Sequence, residues 1–233
     1  MADKLKSFGL SRQEAILYLC LYENGELSGY EAGKLTGISR SNVYAALSTL
    51  TDKGAAYVCE GNVTKYGAVE AQEYLSNYLR RLSYDKAYIL EHLPKPPTGE
   101  EGYLTIYGHR NIKDKIYNMI SDCHMRLYFA AEWERVEQYR DVLKEALLKG
   151  IKVVIISDRD FSSIASKSYL ASQEKGQLRL ITDSSFVLTG ELTDRDADTC
   201  LYSGKEALVV IMKEALRNKI KLIEMEREGM IND

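Results

Sequence analysis

The sequence predicts an α+β protein of two domains: an N-terminal winged helix-turn-helix, a helical linker, and a C-terminal α/β sandwich. Three observations predict it. Ser11-Arg12-Gln13-Glu14 and Ser28-Gly29-Tyr30-Glu31 both have the Ser-x-x-Glu spacing of a capping box, so two helices start within the first 30 residues. All 3 prolines fall in Pro94-Lys95-Pro96-Pro97-Thr98-Gly99-Glu100-Glu101-Gly102, a stretch that cannot continue a helix and so marks a boundary at 94–102. Ile151-Lys152-Val153-Val154-Ile155-Ile156 is an apolar run of the kind found in strands covered on both faces.

The first helix carries Ala15, Ile16, Leu19 and Tyr22 on one face and stops at Asn24-Gly25. A short second helix through Ala32 and Leu35 ends at Gly37, where a tight turn delivers the chain to Ser39. A third helix runs to about Lys53, with Val43, Ala46, Leu47 and Leu50 at helical spacing toward a small core. Ala55–Glu60 and Val63–Ala68 then read as two β runs across Gly61-Asn62. A hairpin directly after the second helix of a helix-turn-helix is a wing, which completes a DNA-binding domain over residues 1–69.

From residue 70 to 93, Ala71, Leu75, Tyr78, Leu82 and Ile89 recur in steps of four and three, interrupted by Asp85. The seam suits pairing with a second copy. Tyr74, Leu79 and Tyr88 widen the apolar face, so packing within one chain remains an alternative. Beyond the boundary, over 103–233, strands are expected at 103–107, 126–130, 151–156, 177–181, 186–191 and 199–202. Helices are expected at 111–121, 132–149 and 161–175, and a final one carries Leu208, Ile211, Met212, Ala215, Lys219 and Leu222 on its stripe. Alternation of this kind predicts a largely parallel sheet.

The exposed types at the start of the third helix point to nucleic acid. Arg40 can bind a guanine edge with its fork and Asn42 can read adenine, while Ser41 and Tyr44 suit phosphate. Ser39 stands at the N-cap, which would use its hydroxyl within the protein. Thr64 and Lys65 on the wing would reach the backbone or an adjacent minor groove. The net charge of −3 opposes a polyanionic partner, but from Lys34 to Lys53 the charges are Lys34, Arg40, Asp52 and Lys53, three positive and one negative. Lys53 is therefore included in the candidate interface.

Other classes find less support. No apolar run approaches the roughly 20 residues of a membrane span, and the N-terminus has no signal-peptide apolar core, which places the protein in the cytoplasm. Cys20, Cys59, Cys123 and Cys200 have neither metal-ligand nor disulfide spacing, so no metal or cofactor is expected. Cys59 lies between Val58 and Glu60, without the positive neighbour of a redox-active thiolate. His109 stands four residues before Lys113 with Asp114 next, a spacing that puts His109 and Lys113 on one helical face but is a weak signal alone, so surface or packing roles are expected; Trp133 follows a strand end beside Glu132 and Glu134, where α/β folds tend to bind ligands, and core or interface packing is its expected role.

Gly37-Ile38-Ser39-Arg40-Ser41-Asn42-Val43-Tyr44, with Leu47, Leu50, Lys53 and Gly54 and the wing, resembles the TrmB family of transcriptional regulators. Leu5-Lys6-Ser7-Phe8-Gly9-Leu10-Ser11-Arg12-Gln13-Glu14-Ala15 is similar to that family's opening. The resemblance implies double-stranded DNA as partner, a homodimer on an inverted-repeat operator, and a C-terminal phospholipase D-like domain that senses an effector of unidentified chemistry. Sugar-binding members carry a further C-terminal β-rich region, for which no counterpart follows the final helix here, so a sugar site is not carried over. Catalytic phospholipase D-like enzymes use His-x-Lys, which is absent from this sequence. Asp183 to Gly190 stands where such an enzyme would carry its motif, so the domain reads as a non-catalytic relative. The competing readings are a winged-helix protein-interaction module and a phospholipase D-like phosphodiesterase.

Overall fold

The computed structural model describes residues 1–95 and 102–227, and the chain divides into two compact units, Met1–Pro97 and Thr98–Asp233. Most of the expected Pro/Gly boundary, 96–101, lies outside the described residues.

In the N-terminal unit the order is α1 (Ala2–Lys6), α2 (Arg12–Asn24), β1 (Leu27–Ser28), α3 (Gly29–Thr36), α4 (Arg40–Asp52), β2 (Ala56–Cys59), β3 (Lys65–Ala68) and α5 (Ala71–His92). Both capping boxes form: the Ser11 and Ser28 hydroxyls accept from the Glu14 and Glu31 N–H groups, and each glutamate accepts from its serine's N–H. Gly37 closes α3 in the left-handed region at φ 71, a conformation glycine adopts without a Cβ penalty. The three strands form one antiparallel sheet in the order β1-β3-β2.

Val43, Leu47 and Leu50 of α4 are fully buried with Leu17, Leu21 and Ala32, each large side chain contributing about 1.5–3 kcal/mol. The buried face of α2 is Glu14, Ala15, Leu17, Tyr18, Cys20 and Leu21, rotated from the expected stripe, and Tyr22 is exposed. The rotation brings Tyr18 and Tyr74 into contact, with centroids 5.9 Å apart, and lets the Tyr18 hydroxyl donate to the Val69 carbonyl at 3.0 Å. Tyr74 is buried and donates to the Phe8 carbonyl at 2.6 Å, anchoring the first turns of α5. From Leu79 onward every described residue of α5 is exposed.

The C-terminal unit runs β4 (Leu104–Tyr107), α6 (His109–Ser121), β5 (Arg126–Ala131), α7 (Trp133–Glu137), α8 (Arg140–Leu148), β6 (Lys152–Ser157), β7 (Lys167–Leu170), β8 (Gln177–Thr182), β9 (Phe186–Glu191), β10 (Thr199–Ser203) and α9 (Glu206–Arg227). The seven strands form one sheet in the order β4-β10-β9-β8-β5-β6-β7. Ile112, Ile116, Val136 and Leu143 of α6, α7 and α8 share one core with one face of the sheet, and α9 packs Val209, Leu216 and Ile223 on the other.

Three expectations are corrected. The sheet is mixed: only β5–β6 and β6–β7 are parallel, because β8, β9 and β10 follow one another through short turns that can join only antiparallel neighbours. The helix expected at 161–175 is absent, and β7 stands within that range. Its serines bond the backbone instead: Ser166 and Ser168 Oγ accept from the Val153 and Phe161 N–H groups at 3.0 and 2.9 Å. On α9 the sheet takes the Val209–Leu216–Ile223 stripe, leaving Ile211 and Leu222 exposed. Lys219 is half-buried, and its ammonium donates to Gln173 Oε1 at 3.0 Å.

Candidate nucleic-acid interface

Helix α4 shows its N-terminal end to solvent. Its capping position is Ser39, yet the Ser39 hydroxyl makes no capping hydrogen bond, contrary to the role expected for it. Three residues on, α2 and α3 carry glutamate and α4 carries Asn42, so the reciprocal half of a capping box is missing as well. The first N–H groups of the helix keep their donor capacity and their share of positive dipole.

Ser39, Arg40, Ser41, Asn42 and Tyr44 are all exposed. Tyr44 is 40% exposed, and its ring lies flat on the start of α3, where a Cβ added to Gly29 would come within 2.6 Å of Cε1. Glycine is needed there for close approach. The Arg40 guanidinium stands 5.9 Å from the centroid of the same ring. Arg40 also lines, with Gly29, Tyr30, Gly33, Lys34 and Ile38, a shallow depression of about 290 Å³. Tyr30 and Lys34 thus adjoin the recognition end from α3. The sequence reading passed over them as site residues because nothing in their local pattern shows that α3 presents this face beside Arg40. Ala45 and Ser48 extend the exposed face of α4 by one turn, a continuation that helical spacing from Ser41 could have shown.

On the wing, Thr64 and Lys65 are exposed. Lys65 pairs across the sheet with Cys59 and Ser28, and its charge helps hold the Glu31 carboxyl below the ordinary range, after the Ser28 backbone N–H and hydroxyl. Cys59 faces Glu26 Oε1 at 2.9 Å, which pushes its thiol up and away from reactivity.

Lys53, expected at the interface, has partners within its own unit. Its ammonium donates to Glu14 Oε2 at 2.6 Å and to the Gly9 carbonyl at 2.8 Å, so it belongs to the α2–α4 scaffold. Burial pushes the Glu14 carboxyl up, but Lys53 and the Ser11 N–H outweigh it and leave the group below its usual value.

In the C-terminal unit, His109 and Lys113 go to different partners. His109 Nδ1 is 3.4 Å from Asp196 without hydrogen-bond geometry, and Lys113 Nζ is 2.6 Å from Asp194. Asp194 also takes Arg135 at 2.6 Å, and the two cations hold its carboxyl at about 2. The Trp133 ring lies under the Arg159 guanidinium at 3.7 Å, and the Trp133 backbone N–H donates to Asp158 Oδ1 at 2.6 Å. Asp183, read as part of a motif remnant, is a clamp: its carboxylate accepts from the N–H groups of His124, Met125 and Arg126 at 2.9, 2.7 and 3.1 Å.

Comparison with known proteins adds to this geometry. The family model described as sugar-specific transcriptional regulator TrmB matches residues 5–72. YrhO of Bacillus subtilis (strain 168) is 27% identical over 237 residues, spanning 99% of this chain and 80% of its own. The HTH-type sugar sensing transcriptional regulator TrmBL1 of Pyrococcus furiosus is 27% identical over 169 residues, 70% of this chain and 48% of its own length. Among solved structures, the archaeal chromatin protein TrmBL2 covers 95% of this chain and 97% of that one at 19% identity and TM-score 0.45. The phospholipase D family member Nuc from Salmonella typhimurium covers 52% of this chain and 95% of its own at 13% identity and TM-score 0.42. Residues 5–72, which hold the two capped helices, the glycine turn, α4 and the hairpin, are thus the part of the chain that is similar to the TrmB family.

Proposed function

We propose that the protein is a sequence-specific DNA-binding transcriptional regulator, a homodimer on an inverted-repeat operator, whose C-terminal unit answers to a small effector. One observation carries the reading: the open N-terminus of α4 presents Ser39, Arg40, Ser41, Asn42 and Tyr44 together, with the exposed Thr64 and Lys65 on the wing. Uncapped N–H groups and a serine hydroxyl suit a phosphate, and Arg40 and Asn42 follow on the turn that would enter the major groove. The TrmB match over residues 5–72 and the similarity to TrmBL1, a transcriptional regulator, support the same function.

The homodimer rests on α5. Leu79, Leu82, Ile89 and Leu93 are each about half exposed or more, an apolar stripe at heptad spacing that extends past the anchored first turns. A second copy is the natural occupant, because two recognition helices need a fixed separation on DNA. An effector that altered this separation would change affinity.

Selection of bound duplexes from a random pool, followed by titration of two variants, tests the assignment. Arg40→Ala should relax base choice at one position by about 1–3 kcal/mol, roughly 5- to 150-fold. Lys65→Ala should weaken all duplexes alike and reduce the slope of log K against log salt by about 1. The reverse pattern would overturn the roles.

A further inference from the structure

The described residues hold a second cationic cluster, within the C-terminal unit. Between the start of β5, the β8–β9 turn and α9 lies a cavity of about 180 Å³. Arg126, Lys213 and Arg217 stand at its wall, and no acidic residue lines it. Among the described residues none of the three side-chain cations makes a hydrogen bond or an ion pair. Lys213 and Arg217 are one helical turn apart on α9, a like-charge pair that disfavours the helix. Glu206 lines an adjoining depression that shares Lys213 and Ser184, on the other side of the lysine.

The floor is apolar. Tyr128 and Ile181 come from neighbouring strands, and Leu216 and Ile220 from α9. A cavity of about 150 Å³ accepts a benzene-sized body, so this one takes a ring-sized group. The entrance is fixed by strain: Asp183 and Ser184 hold φ values of 52 and 57, the left-handed region that residues with a Cβ seldom occupy. The Asp183 clamp on the N–H groups of His124, Met125 and Arg126 maintains that turn, ties it to the start of β5, and occupies its own carboxylate. The clamp sets Ser184 and Arg126 at one rim.

We infer that this cavity binds a small organic anion: a carboxylate or phosphate monoester held by Arg126, Lys213 and Arg217, on a ring-sized apolar body seated against Tyr128 and Ile181. Arginine forks match both head groups in bidentate geometry, and the lysine supplies a point charge. As the site of the effector it rests on the proposed regulatory function; as a binding site it stands on this unit alone.

Calorimetric titration of the full chain without DNA separates the two. The probes are benzoate, phenyl phosphate, inorganic phosphate and phenol. Benzoate or phenyl phosphate should bind at least tenfold more tightly than both inorganic phosphate, which lacks the body, and phenol, which lacks the charge. Whichever of the two is tighter identifies the head group. Lys213→Ala with Arg217→Ala should lower that affinity at least tenfold and leave the melting temperature unchanged. Binding no tighter than inorganic phosphate would leave only a counter-ion site and overturn the inference, as would unchanged affinity in the double variant. Failure here with intact DNA binding would reject the cavity and keep the regulator; the converse would reject the regulator and keep the cavity.

Discussion

Helices α2, α3 and α4 each begin at a serine, yet Ser11 and Ser28 close their helices with full capping boxes and Ser39 leaves its helix open. The two closed starts face the unit's own structure: Glu14 goes on to hold Lys53, and Ser28 enters the sheet with Lys65. The open start is the one surrounded by exposed polar and basic side chains. The open start also has Asn42 where the other two helices have glutamate. A cap is worth about 1 kcal/mol, and α4 forgoes it at the end proposed above to meet a phosphate.

The largest expected effect comes from erasing that difference. Asn42→Glu completes the Ser-x-x-Glu spacing at α4, so unfolding free energy should rise by about 0.5–1 kcal/mol while DNA affinity falls at least 100-fold, since a carboxylate then occupies the place of the phosphate. Denaturant titration and DNA binding on the same preparation check both signs. Unchanged DNA affinity would break the comparison.

Next in size is the opposite end of α4. Lys53→Met leaves the buried Glu14 carboxylate without its cation and should cost about 1–3 kcal/mol, read in hydrogen-exchange protection of α2 and α4. DNA affinity per folded molecule should change less than threefold, and a larger loss would return Lys53 to the interface.

The same pair gives a pH prediction. The Glu14 carboxyl titrates below 4.5 when folded, so the pair's contribution is complete above that value and is lost as pH falls through the folded pKa. Lys53→Met should flatten this acid limb in the N-terminal unit. Asp194, held at about 2, should keep its own limb at lower pH in the C-terminal unit.

The smallest effect is the most discriminating between serines. Ser28→Ala should cost about 1 kcal/mol in stability, and Ser39→Ala no more than a few tenths, with weaker DNA binding only in the latter. Equal costs would show that Ser39 caps in solution.

Much of the N-terminal unit was legible because its signals are local. A capping box spans four residues, Gly37 needs its left-handed turn, and Val43, Ala46, Leu47 and Leu50 mark the buried face of α4 by spacing alone. What spacing could not show was distant: Lys53 is taken by Glu14, 39 residues earlier, and the buried face of α2 turned to meet Tyr74 of α5. In the C-terminal unit, strand positions other than β7 followed from apolar runs, whereas strand direction depended on which turns were hairpins. The serines of 161–175 counted as tolerable in a helix until their hydroxyls were seen bonding Val153 and Phe161. Among the cations of the cavity, Arg126 on β5 lies 87 and 91 positions before Lys213 and Arg217 on α9, and only the fold brings it to them.

The most direct test of the account is a fluorescence-anisotropy titration of a duplex from upstream of the protein's own gene against a scrambled duplex, at two salt concentrations. The account predicts tight, sequence-selective binding that weakens steeply with salt. Weak binding, equal for both duplexes and indifferent to salt, would contradict it and leave the open end of α4 as a surface for another protein.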